Sequence, residues 1–247
     1  MFNLTFSINL ERLVKVITKD LEIALNISEF VKLCDSNTIN SQNIKGQTAL
    51  HHAISIGNLK AAIALLNHKE INPNIADREG KTPLHYAVGK NYQNLVSKLI
   101  EKGADVNIAD RNKITPLHIA ATNDSAEIAE ILLNNKANLN TQDKDGETPL
   151  YMAATFGNFK IGKILLDNGA NPNICARSSS EPTALNILLD CFLDIRGKDI
   201  PKEIFKEFTL ALLKHPKIKL TEYSNKPPYE LTYLEINLED ILKNKHA

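Results

Sequence analysis

The chain has 247 residues, with 29 basic and 29 acidic side chains and no net charge when histidine is neutral. Hydrophobic residues make up 43% and charged residues 23%, a globular balance that argues against a mostly disordered chain. The zero balance also removes the simplest case for direct nucleic-acid or anionic-membrane binding, which needs a basic excess.

Met1 to Leu10 lacks a basic n-region and reads as mature protein rather than a signal peptide. Residues 1–45 read as an N-terminal helical cap, with helical segments near Leu10 to Leu25 and Ser28 to Cys34. Asn26 and Glu29 have capping-box spacing. The cap ends as a degenerate repeat, because Ile39 to Gly46 aligns with Leu139 to Gly146. From there the sequence repeats openly. Thr48-Ala49-Leu50-His51 returns as Thr82-Pro83-Leu84-His85, Thr115-Pro116-Leu117-His118 and Thr148-Pro149-Leu150-Tyr151, then fades at Thr183-Ala184-Leu185-Asn186. A second signature keeps phase: Leu99 to Asn107 matches Leu165 to Asn173, and Leu132 to Asn140 matches with Lys136 in place of glycine.

Each period predicts a pair of helices. Thr82 can cap a helix start, and Pro83 fits the first helical position, where its missing N–H costs nothing. Leu84, Ala87 and Val88 make one apolar face, and a polar break at Asn91 and Tyr92 ends the helix. Gly57 and Gly157 end it in sister repeats. The second helix carries Leu95, Val96, Leu99 and Ile100 and stops at Gly103. Asp105 to Lys113 is polar and turn-rich. The repeats are assigned to 46–79, 80–112, 113–145 and 146–181. A degenerate fifth, 182–220, has its second helix near Lys202 to Leu213, displaced by an insertion within 194–201. Leu212 to Pro216 resembles Leu65 to Lys69. Residues 221–247 form a C-terminal cap closed by a helix near Leu238 to Lys245.

These phased motifs resemble the ankyrin repeat family over about residues 46 to 174. The resemblance implies an all-α fold: an ankyrin-repeat solenoid of stacked helix-turn-helix units with β-turn fingers and helical caps. One helix pair cannot enclose its apolar face, so neighbours must bury it. In the family, the histidine of the first motif bonds to its threonine and to nearby backbone, tying repeats together. That assigns His51, His85 and His118 structural roles. The resemblance also places partner binding on the concave face. Position by position, the first helices offer Ile56, Lys90, Asn123, Thr155 and Phe156. The fingers offer Arg78, Glu79, Lys81, Arg111, Asn112, Lys144 and Asp145. Phe156, with Tyr151 nearby, is the expected anchor, since exposed aromatic residues carry much interface energy. Asn74, Asn107, Asn140 and Asn173 fall where the family is sometimes hydroxylated in animal cells; their expected role is bonding within the turn. Leu84, Leu117, Leu99 and Leu132 are expected core residues.

No catalytic motif stands beside the repeat. His51 and His52 are neighbours on a helix and make a poor chelate. Cys34, Cys175 and Cys191 are far apart, which excludes a CxxC zinc site and suits a reducing compartment. Gly157 to Lys163 approaches a phosphate loop, but Ile164 stands where Ser or Thr is required. No apolar run reaches the roughly 18 residues of a membrane span. The expectation is a non-enzymatic, monomeric, cytoplasmic protein-interaction module with no metal, no cofactor, no direct nucleic acid and no membrane. The alternative is an enzyme or regulatory subunit with its activity in the divergent flanks. Its Lys-, Asn- and Ile-rich composition is similar to that of stand-alone ankyrin proteins of intracellular bacteria, many of which are secreted into a host cell. That resemblance implies an effector acting on host proteins.

Overall fold

The computed structural model of the protein describes residues 14, 31–32, 34–174, 176–177, 184–185, 202–218 and 236. Apart from Val14, the expected helix over 10–25 lies outside the described residues, as do the helix over 238–245, the Asn26–Glu29 pair, Thr183, the 194–201 insertion, Cys175 and Cys191. The described residues contain helices and turns and no strand; each finger is closed by its own turn bonds and joined to its neighbour by a backbone bond, as from Arg78 N–H to the Lys45 carbonyl.

The chain divides into two compact units, residues 1–116 and 117–247. In a repeat array each helix pair contacts only its neighbours. The first unit contains α1 (Ser36–Ile39), α2 (Ala49–Ser55), α3 (Leu59–Leu66), α4 (Pro83–Gly89) and α5 (Gln93–Glu101). Helix α2 packs on α3 and α4, while α5 packs on α3 and α4, so first helices stack on first helices and second on second. The division falls inside α6 (Pro116–Thr122); α7 (Ala126–Asn134), α8 (Pro149–Phe156), α9 (Phe159–Asp167) and α10 (Lys202–Lys214) follow. Helix α9 packs on α7, α8 and α10.

Local chemistry fixes both ends of each helix. Thr48 is extended, its side chain caps the His51 N–H, and its own N–H donates to His51 Nδ1 at 3.1 Å. Thr82 and His85 repeat this box, also at 3.1 Å. Thr148 caps Tyr151 N–H at 3.2 Å. Every first helix from α2 to α8 then stops at a left-handed residue: Gly57, Asn91, Asp124 and Gly157, with φ of 77°, 57°, 52° and 71°. The next N–H bonds back five residues to a buried alanine carbonyl, as in Asn58 to Ala53 and Tyr92 to Ala87, both 2.9 Å. The second helices α5, α7 and α9 end alike at Gly103, Lys136 and Gly169.

The expected core residues Leu84, Leu99, Leu117 and Leu132 are all buried. The imidazoles link successive repeats. His51 Nε2 lies 3.0 Å from the Lys81 carbonyl, His85 Nε2 lies 3.1 Å from that of Ile114, and His118 Nε2 lies 3.2 Å from that of Glu147. His68 and His215 form a second matched pair: each Nδ1 accepts the backbone N–H two residues on, at 3.2 and 3.3 Å. Helix α10 covers the segment, Lys202 to Leu213, where the sequence predicts a helix. It packs Phe205 edge-on and Phe208 stacked against Phe159, both with ring centroids 5.4 Å apart.

Two stability predictions follow from these contacts. Burial holds the His51 and His85 imidazoles below the ordinary histidine value of about 6.5, outweighing the carbonyl bonds that favour protonation. The unfolded chain therefore binds protons first as pH falls below about 6.5, so stability drops with acidification and is level above neutrality. Urea midpoints should fall between about pH 7 and pH 5.5; an unchanged midpoint contradicts the neutral buried rings. Gly162 is the second case. A Cβ there would overlap Phe208 Cε2 and Cζ, whereas one at Gly89 meets nothing within 4 Å. Alanine is the better helix former by about 1 kcal/mol. Overpacking should nonetheless make Gly162→Ala destabilising by about 1–3 kcal/mol. Gly89→Ala should be neutral or mildly stabilising. A Gly162→Ala protein with a raised urea midpoint would contradict this packing of α10.

Candidate functional site

The candidate site begins with the finger turns. Asp77, Asp110 and Asp143 are buried, and each turns one carboxylate oxygen inward to accept two backbone N–H groups of its own loop. Asp77 Oδ1 takes those of Glu79 at 2.8 Å and Lys81 at 2.9 Å; Asp110 Oδ1 takes those of Asn112 and Ile114 at the same distances. Asp143 Oδ1 takes those of Asp145 and Glu147, both at 2.9 Å. Asn43 does the same one repeat earlier. With the loop fixed from inside, the next two residues project: Arg78 and Glu79, Arg111 and Asn112, and Lys144 and Asp145 are all exposed. Lys81 is half-buried and reaches Glu79 Oε2 at 2.8 Å, which raises its pKa. Glu147 is half-buried, and its carboxyl is pushed up by burial and then by Asp143 and Asp145.

Fingers and first helices meet through a tyrosine that the motif comparison did not single out. Tyr86 donates its hydroxyl to Asp77 Oδ2 at 2.7 Å and accepts from Gln47 Nε2 at 2.9 Å. Its ring stands edge-on to His51 at 5.4 Å, and burial followed by the Asp77 bond raises its pKa. The equivalent positions hold His52, Ile119 and Met152, so no repeated letter marks this position. One helical turn further, Lys90 is exposed on the same helix face as Tyr86.

The remaining first-helix candidates divide by unit. Ile56 is 48% exposed in the first, and Phe156 is 57% exposed in the second, together with exposed Asn123 and Thr155. Ile56, Lys90, Asn123 and Phe156 hold one register, so the two apolar side chains face outward at equivalent positions. Tyr151 does not join Phe156 as a second anchor. It is 4% exposed, because it occupies the buried histidine position of its repeat. The sequence reading also missed Ile44, which is 82% exposed at the finger position of Arg78 and Arg111, and the outward-facing Leu59 and Ile63 of α3. The signal for Ile44 was available in the alignment of residues 39–46 but lay in the degenerate repeat.

The finger asparagines do more than the turn bonding expected of them. The in-turn bonds come from the residues two positions earlier: Asn72, Asp105, Asn138 and Asn171 each accept the N–H of the following asparagine. Asn74 instead reaches the next repeat, accepting from Asp105 N–H and donating to the Gly103 carbonyl, both at 2.8 Å. Asn140 accepts from Asn171 N–H at 2.8 Å, and Asn40 bonds Asn72 N–H and the Glu70 carbonyl. Two backbone polar groups are satisfied across a repeat boundary by one amide, which position in the turn alone does not disclose.

Residues 157–163, which approach a phosphate loop in sequence, run from the end of α8 into α9 and offer no loop, since Gly162 is buried mid-helix. Cys34 is buried, and burial, then Asp35, raises its thiol pKa. Among the described residues no cluster of His, Cys, Asp and Glu is arranged to hold a metal, and no helix is long and apolar enough to cross a membrane.

Comparison with known proteins agrees with this geometry. A family model described as Ankyrin repeats (3 copies) matches residues 21–110 and 108–176. Poly [ADP-ribose] polymerase tankyrase of Caenorhabditis elegans is 40% identical over 73 residues, 28% of this chain and 3% of that protein. The E3 ubiquitin-protein ligase KEG of Arabidopsis thaliana is 38% identical over 66 residues, covering 27% and 4%. The ankyrin repeat-containing protein kinase A of Dictyostelium discoideum is 36% identical over 89 residues, covering 34% and 6%. The chain thus matches only a small fraction of the length of these relatives.

Proposed function

We propose a function for this chain from one established fact: it belongs to the ankyrin repeat family, whose model covers more than half of it. Ankyrin repeats make it a protein-protein interaction module. The finer reading is a non-enzymatic protein that captures its partner on finger tips and first-helix ends. The observation that carries this reading is the pair Ile56 and Phe156. Both are large and apolar, both stand about half exposed, and both occupy the repeat register where the other repeats present Lys90 and Asn123. An apolar side chain held outward by a rigid helix loses little entropy on docking and gains most from burial. The interior offers its polar groups to caps and repeat links, which supports a scaffold rather than a reaction centre. The catalytic names of relatives attach to proteins of which the matched segment is 3–6%.

The reading extends to a cytosolic setting and, on the Lys-, Asn- and Ile-rich composition, to an effector delivered into a host cell. A translocation assay in a secreting bacterium tests the latter; an intact chain that is never delivered counts against it. For the binding role, Phe156→Ala should weaken a protein partner by more than about 1 kcal/mol while leaving the thermal midpoint nearly unchanged. Equal affinity of the two proteins would remove Phe156 as an anchor.

A further inference from the structure

The zero net charge conceals a segregation. Residues 34–116 carry ten Lys and Arg against seven Asp and Glu, and residues 117–174 carry four against seven. On the fingers of the first unit the bias is sharper. Lys45, Arg78, Arg111 and Lys113 are exposed, as is Lys90 at the end of α4. Among the described residues none of these five sits in an ion pair. The nearby acids are already engaged. Glu79 is held by Lys81, while Asp77 and Asp110 are buried and bonded to their own loops. The outward charge of this face is therefore cationic, with Ile44 and Ile56 as the exposed apolar members beside it.

The fingers also have a measure. Asp77 N–H bonds the Lys81 carbonyl and Asp110 N–H that of Ile114, both at 2.9 Å, closing the two limbs of each finger. Arg78 N–H bonds the Lys45 carbonyl at 2.9 Å and Arg111 N–H that of Glu79 at 2.8 Å, joining each finger to the one before. Backbones bonded in this way lie roughly 4.8 Å apart, so two limbs per finger set successive tips about 10 Å apart. An extended peptide in the polyproline II conformation advances about 3.1 Å per residue and returns every third side chain to the same face, or about three residues per finger. The same tip position holds Ile44, Arg78 and Arg111 in turn.

We propose that the fingers of residues 34–116 bind an extended acidic peptide segment of a partner, with an apolar side chain opposite Ile44 and carboxylates opposite Arg78 and Arg111, each three residues from the next. The inference rests on the protein-binding reading above and names the chemistry of its partner. A nucleic acid would offer anions too, but such surfaces interleave cations with stacking aromatic rings. Here the interleaved residues are isoleucines, and the hydroxyl of Tyr86 is committed to Asp77 and Gln47.

The test is selection of a displayed library of random twelve-residue peptides on the full chain, followed by binding titrations of the enriched peptides as labelled synthetic molecules. Enriched peptides should carry two acidic residues three apart, with an apolar residue three further on. Arg78→Glu and Arg111→Glu should each weaken them roughly tenfold or more, and added salt should weaken them too. Lys60→Glu, on the exposed face of α3, should change nothing, and circular dichroism should report all three variants folded. Enriched peptides without the acidic pair, or indifferent to both reversals, overturn the inference. So does an empty selection, or a single-stranded oligonucleotide that binds as tightly with the same arginine dependence. None of these outcomes touches the protein-binding reading, which the Phe156→Ala comparison decides separately.

Discussion

The structure depends on one polar interaction made in the buried interior between repeats. A histidine three residues past a capping threonine accepts that threonine's N–H on Nδ1 and turns Nε2 to a carbonyl of the next repeat, as His51 does to Lys81 and His85 to Ile114. A carbonyl only accepts, so Nε2 must carry the proton, and Nδ1, which accepts an N–H, must not. One neutral ring thus starts its own helix and registers the neighbour. Left unpaired at this depth, any of these groups would cost about 1–3 kcal/mol.

That link matters because the helices are short. Helix α2 has seven residues and α3 has eight, below the roughly 12–15 residues at which an isolated helix becomes marginal in water. Their stability comes from caps at both ends and from neighbours that bury Leu50, Leu65, Leu84 and Leu99 completely. The asparagines Asn40, Asn74 and Asn140 work as a second row of links on the opposite edge of each pair, bonding forward to the following repeat. With both edges fixed, the finger tips and first-helix ends are left free to vary, which is what a binding surface needs.

Much of this was legible in the sequence because repetition turns weak local signals into phased ones. Helix ends followed from Thr48, Thr82, Gly57 and Gly103, and the core followed from leucines at helical spacing. What escaped was whatever broke phase or acted across a boundary. Tyr86 braces Asp77 but has no counterpart in the sister repeats. Asn74 lies in a turn, which suggested a local role, and its partners, Gly103 and Asp105, are about 30 residues away. Tyr151 looked like a surface aromatic beside Phe156, yet the repeat register itself placed it at a buried position. The net charge of zero was an exclusion when read over the whole chain. Only the burial of Asp77 and Asp110, and the Lys81–Glu79 pair, reveal which cations remain unanswered.

Neutral, Nε2-protonated imidazoles join the repeats. Nitrogen-15 chemical shifts of the histidine rings in the folded chain near pH 6.5 test this most directly. His51 and His85 should each show a protonated Nε2 and an unprotonated Nδ1, with a through-bond coupling from His85 Nε2 to the Ile114 carbonyl. Doubly protonated rings at that pH, or the proton on Nδ1, would contradict it.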